Sequence, residues 1–132
     1  MKVSVLVFAA IALTGCGHHA SGSGTPQRVA QTSLEISVTP GGKGPPTKLW
    51  TLRCPPAGTL PDPARACRGL AAVDKPFAPV PKGVACTQIY GGSQVAEVQG
   101  TFRGEPVNTR FTRTDGCQIA RWDKVRFLFP PG

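Results

Sequence analysis

Polar and apolar residues alternate strictly over Ser33-Leu34-Glu35-Ile36-Ser37-Val38. That is the period of a half-buried strand. The same period returns in Lys48 to Cys54, where Trp50, Leu52 and Cys54 share one face and Leu49, Thr51 and Arg53 the other. Ser93 to Phe102 reads as a long strand, with Arg103-Gly104-Glu105-Pro106 as a hairpin connection. Val107, Thr109 and Phe111 then alternate with Asn108, Arg110 and Thr112. Near the end, Val125, Phe127 and Phe129 alternate with Arg126 and Leu128, which predicts a last strand closed by Pro130-Pro131. Between the second and third strands the period changes. Over Asp62 to Val73 the residues Ala66, Leu70 and Val73 fall on one helical face, with Asp62 as cap and Pro63 at the first helical position. Gly69 weakens this helix, Pro55-Pro56-Ala57-Gly58 is incompatible with regular structure, and Gln118 to Trp122 suits a second, brief helix. The fold class is therefore α+β: a five-stranded antiparallel sheet with one or two short helices packed on one face.

The N-terminus has a different pattern. Lys2 precedes an apolar run from Val3 to Leu13, followed by small residues, as in an export signal. Eleven residues are too few to span a bilayer, which needs about 20. Leu13-Thr14-Gly15-Cys16 reads as a bacterial lipobox, in which the cysteine carries lipid; the alternative is an ordinary secretory signal with a chance cysteine beside it. The lipobox also explains an odd cysteine count. Of five cysteines, removing Cys16 leaves Cys54, Cys67, Cys86 and Cys117, an even set suited to an oxidising compartment. Gly17 to Thr32, rich in small polar residues, is a flexible tether of 16 residues, with a root-mean-square reach of about 22 Å. The expected organisation is a signal peptide over 1–15, a lipidated Cys16 and tether over 16–32, and a folded domain over 33–132. The expected location is the outer face of the cell membrane.

Charge and side-chain chemistry narrow the function classes. Fifteen Lys and Arg against seven Asp and Glu give a formal net charge of +8. The basic residues are scattered, and Trp50, Trp122, Tyr90 and the phenylalanines form no base-stacking motif, so nucleic acid is not an expected partner. The two histidines, His18 and His19, both lie in the tether and have no third ligand or helical spacing for a metal. No Ser-His-Asp or Cys-His arrangement can be built inside the domain, which argues against an enzyme. No cofactor and no metal are expected.

One stretch remains to be explained. Ala85-Cys86-Thr87-Gln88-Ile89-Tyr90-Gly91-Gly92 follows Pro76, Pro79 and Pro81, each of which keeps the chain out of helix. A cysteine at its start and glycines at its end describe an exposed loop tied down on one side. Such a loop can be offered to a protease as a substrate bound well and released badly.

Four cysteines allow three pairings, and the residues alone do not choose among them. The order Cys54-Pro55-Pro56, Gly58-Thr59-Leu60-Pro61, Ala66-Cys67-Arg68-Gly69-Leu70-Ala71-Ala72-Val73, Cys86-Thr87-Gln88-Ile89-Tyr90, then Cys117 resembles the Streptomyces subtilisin inhibitor family, from about Ser33 to Phe129. The resemblance implies the disulfides Cys54–Cys67 and Cys86–Cys117, each contributing roughly 3 to 4 kcal/mol by restricting the unfolded chain. It implies a reactive bond between Gln88 at P1 and Ile89 at P1′, with Ala85 at P4, Cys86 at P3, Thr87 at P2 and Tyr90 at P2′. It further implies a subtilisin-like serine protease as partner and a homodimer as assembly. The chain departs from the family in three places: Thr87 replaces the usual proline at P2, Gln88 is uncharged, and Leu60 stands where a histidine is usual. A non-inhibitory binding module of the envelope on the same fold is the alternative function.

Overall fold

In the computed structural model, which describes residues 31–46 and 48–131, the alternating residues of the first strand decide the whole arrangement. Leu34, Ile36 and Val38 are buried while Ser33 and Glu35 are exposed, so β1 (Thr32–Thr39) offers one apolar face to a core. It lies at the centre of the sheet. β2 (Lys48–Cys54) pairs with it antiparallel on one side, setting Ile36 opposite Trp50 and Leu34 opposite Leu52. β4 (Gly92–Phe102) pairs antiparallel on the other, setting Ile36 opposite Val98. β3 (Ala57–Gly58) adds a short edge to β2 and β5 (Glu105–Arg113) an edge to β4, giving the order β3-β2-β1-β4-β5. The turn between β4 and β5 is Arg103-Gly104, and both residues have positive φ, as a two-residue type I′ hairpin requires.

Two helices cover the apolar face. α1 (Pro63–Ala72) begins as its residues suggest: Asp62 Oδ1 accepts from the Arg65 amide at 2.9 Å, and Pro63 occupies the first turn. Ala66 and Leu70 are buried against the sheet, and Cys67 is bonded to Cys54 at the end of β2. α2 (Gly116–Lys124) packs on β5, with Trp122 buried and its ring 4.6 Å from that of Phe129. The core joins Leu34, Ile36, Leu52, Leu70, Phe111 and Leu128, all at most 2 % exposed.

Two expectations need correction. The last strand does not form: Val125 follows α2, and Arg126–Leu128 is a 3-10 turn. Val125, Leu128 and Phe129 are all buried, and a spacing of three and four places them on one side only of a helical path. A strand would have turned Leu128 outward with Arg126. The fifth strand is instead Ala57–Gly58, inside the segment expected to be irregular, pairing with Leu52 and Arg53. Gly69 also has a positive role. A Cβ there would sit 2.7 Å from the Phe127 ring, so its bare backbone is the seat of that aromatic.

The expected lipidation site Cys16, the signal peptide and the tether up to residue 30, with His18 and His19, lie outside the described residues. Gln31 and Thr32, expected to end the tether, are described, and Thr32 is buried as the first residue of β1. Among the described residues, no helix is long and apolar enough to cross a membrane.

Candidate functional site

The sequence between Val84 and Gly91 enters neither helix nor strand. Three prolines keep the approach from helix, and Phe77 anchors it by packing edge-on against Phe102 at 5.3 Å. Ala85, Thr87, Gln88, Ile89 and Tyr90 are exposed, and Cys86 is half-buried. Ile89 and Tyr90 are 57 % and 67 % exposed, an outward placement of large apolar side chains that the fold does not need.

What holds this loop lies in the segment between β5 and α2. The Cys86–Cys117 disulfide ties it to the first turn of α2, with the two Cα atoms 5.3 Å apart. The Gly116 amide donates to the Thr87 carbonyl at 2.9 Å, and the Gly91 amide donates to the Arg113 carbonyl at 2.7 Å. Gln88, Ile89 and Tyr90 thus span between two backbone hydrogen bonds, both ending on residues 113–116. Ile119 of α2 supports the far shoulder: a Cβ on Gly91 would come within 2.8 Å of its Cδ1, so Gly91 lets helix and loop touch. The Gln88 side chain turns back on the loop, its Nε2 donating to the Cys86 carbonyl at 3.5 Å.

α2 is therefore the platform, and its own start is well defined. Asp115 Oδ1 accepts from the Gln118 amide at 2.9 Å, closing the N-terminus. Cys86, Asp115 and Cys117 bring potential ligand atoms within 4.8 Å of one another. The two sulfurs are bonded to each other and the carboxylate caps the helix, so the trio is structural.

A further side chain ties the platform to the loop's approach. Arg121 donates from Nε to the Ala78 carbonyl at 3.0 Å, from Nη1 to Gln118 Oε1 at 2.8 Å and to the Arg110 carbonyl at 3.3 Å, and from Nη2 to Thr109 Oγ1 at 3.1 Å. Its guanidinium lies 4.7 Å over the Phe111 ring. Burial pushes its pKa down from the ordinary arginine value. One side chain thus joins the proline-rich segment, α2 and β5.

The sequence-predicted residues Ala85 to Tyr90 come together as one exposed loop, and the four cysteines pair as expected. Gly116, Gly91, Ile119, Arg113 and Arg121 were not legible as its supports. In the sequence Thr114-Asp115-Gly116 reads as a turn leading into Cys117, yet Asp115 caps a helix that Gly116 opens. The signal was Asp115 with Gln118 three residues on, a helix-start pattern.

A family model described as "Subtilisin inhibitor-like" matches residues 16–114. The fold is similar to a crystal structure of Streptomyces caespitosus sermetstatin in complex with Bacillus licheniformis subtilisin, with a TM-score of 0.51 and 20% sequence identity. That alignment covers 76% of this chain and 99% of the other. At this identity the likeness is one of fold. No curated protein matches the chain.

Proposed function

The chain belongs to the subtilisin inhibitor-like family, a family of protease inhibitors and not of enzymes, and from that premise we propose that it inhibits subtilisin-like serine proteases by substrate-like binding with Gln88–Ile89 as the reactive bond. The observation that carries this reading is the clasp: Thr87 and Gly91 are both hydrogen-bonded to residues 113–116, and the three exposed residues between them face solvent. A loop held this way loses little ordering entropy when it enters a protease cleft. The protease serine attacks the Gln88 carbonyl, and the Ile89 amine departs as the acyl-enzyme forms. The clasp keeps that amine in place, so it can attack the acyl group and re-form the peptide bond before water arrives. Rigidity is the inhibitory property.

Gln88 points to the kind of protease. An uncharged amide gains nothing from a pocket with a buried carboxylate, whereas a broad subtilisin-type pocket accommodates it.

Lipidation of Cys16 completes the proposal, placing the domain on the outer face of the cell membrane. Two or more acyl chains anchor a protein stably where one does so only marginally. Topology supports a useful orientation. The Gln31 carbonyl accepts from the Gly104 amide, so the chain enters the domain beside the β4–β5 hairpin turn. The loop leaves from the other end of the sheet, where Gly92 pairs with Arg113 and Thr39 with Val95. The eight residues of β1 separate these ends by about 25 Å. Replacing Cys16 with serine should release the protein into the medium; an unaltered chain already free in the medium would end the tethering proposal. A homodimer is the assembly the family implies, and sedimentation at micromolar concentration measures it.

The test of function is a titration of subtilisin with the disulfide-bonded chain. One-to-one loss of activity, abolished by Gln88→Pro, is the expected result. Rapid cleavage at Gln88–Ile89 without inhibition would contradict it, and neither inhibition nor cleavage across a panel of proteases would favour the non-inhibitory envelope module.

A further inference from the structure

We propose that Gly116 is a positioning residue for the reactive bond, acting through Thr87: its missing side chain makes the space in which Thr87 is locked. The inference rests on the reading of Gln88–Ile89 as the reactive bond. Thr87 immediately precedes that bond and lacks the ring that would restrict a proline there. Its order must come from its surroundings. The Gly116 amide donates to the Thr87 carbonyl at 2.9 Å. A Cβ added at Gly116 would overlap Thr87 Oγ1 and lie 3.3 Å from Thr87 Cβ and 3.6 Å from its amide nitrogen. The hydroxyl therefore sits in the volume a side chain at 116 would fill. The neighbouring residues, Cys117 and Cys86, are joined covalently. Thr87 is thus held by its carbonyl and by the disulfide before it, with its exposed side chain seated over Gly116.

No backbone requirement explains this glycine. Gly116 is the first residue of α2 and is not in the left-handed region. Alanine is the better helix former at such a position, so glycine is the less stable choice for the helix itself. What glycine supplies here is room. The neighbouring glycines differ: Gly92 has φ +129 and needs its conformation, and Gly91 meets Ile119 rather than the loop's exposed residues.

The prediction is specific to the pair. Gly116→Ala should keep the fold and its Tm, while Thr87 is pushed outward and the Gln88 carbonyl moves with it. Inhibition should weaken by about tenfold or more, the equivalent of freeing one ordered side chain, and cleavage at Gln88–Ile89 should speed up. Thr87→Ala removes Oγ1 and should have a smaller effect. The double variant should recover most of what Gly116→Ala alone loses, because the overlapping atom is gone and the remaining 3.3 Å contact needs only a small shift. Contacting residues couple in such a cycle, whereas independent ones add.

Three measurements on the same set of full-length variants decide the matter: inhibition of subtilisin, the rate of cut at Gln88–Ile89, and amide hydrogen exchange over residues 86–91. A Gly116→Ala variant that inhibits and is cut like the parent overturns the proposal. So does a loss that Thr87→Ala fails to rescue, which would make Gly116 merely structural. If the parent itself does not inhibit, the functional reading fails separately. Exchange then still tests the lock: Gly116→Ala should raise exchange over 86–91 and Thr87→Ala should restore it, and unchanged exchange overturns the proposal.

Discussion

Gln88 is a residue of small consequence for the fold, exposed and bonded only to the loop that carries it. Its identity should therefore govern specificity and little else. Gln88→Lys should leave Tm unchanged and add inhibition of a trypsin-like protease, which the parent chain should not inhibit; an inhibition assay against both proteases checks this. Arg121 is the opposite case. Its guanidinium bonds to Ala78, Gln118, Thr109 and Arg110 and covers Phe111. Arg121→Ala would strip partners from groups on three segments at once, a loss of about 1–3 kcal/mol. Thermal unfolding should register it, and limited proteolysis should find the segment from Pro76 to Val84 newly open. Phe111, fully buried, sets the upper end of the scale, with Phe111→Ala costing about 3–5 kcal/mol in denaturant titration. Residue by residue, legibility followed chemistry. The exposed loop and the cysteines stood out because their residue types are unusual where they occur. Arg121 did not, since nothing in local spacing tells a surface arginine from one that joins three segments.

At the level of elements, periodicity was informative wherever one face met the core and the other met water. β1, β2, β4, β5 and α1 have that character, and their bounds lie within a few residues of the pattern. The pattern misled at the C-terminus, where Val125, Phe127 and Phe129 alternate as a strand would. Packing decided otherwise: burying Val125, Leu128 and Phe129 together demands a helical path, and Phe127 found its seat on Gly69. β3 was beyond the reach of pattern, because two residues have no period. The disulfides divide their labour by element. Cys54–Cys67 braces α1 against β2, and Cys86–Cys117 binds the loop to α2. Replacing the first pair by serine should lower stability by about 3 kcal/mol and leave the folded loop's resistance to cleavage intact. Replacing the second should speed cleavage at Gln88–Ile89 well before global unfolding sets in. Comparing cleavage rates with unfolding curves for the two variants separates these roles; equal effects on both would contradict the division.

The whole molecule has two ends. The chain enters at Gln31 beside the hairpin turn, and the loop projects from the opposite end of the sheet. Pro130 and Pro131 line a shallow pocket with Val38, Pro40 and Arg113, so the C-terminal segment lies at the loop end. This asymmetry predicts that attachment to a vesicle through Cys16 should leave the rate of protease capture near that of the free domain. Attachment through a cysteine added after Gly132 with a short linker should slow it by steric obstruction. Equal rates for the two attachments would remove the argument from orientation. None of this polarity was readable from sequence, since it depends on which end of β1 faces the hairpin.

The central claim is that a clasped, exposed bond makes this domain an inhibitor rather than a substrate. The most direct measurement is the titration of a fixed amount of subtilisin with the disulfide-bonded chain, following residual activity and the integrity of Gln88–Ile89 together. A linear fall to zero at one equivalent, with the bond largely intact over hours, is the predicted result. Persistent activity with rapid and complete cleavage of Gln88–Ile89 would contradict it.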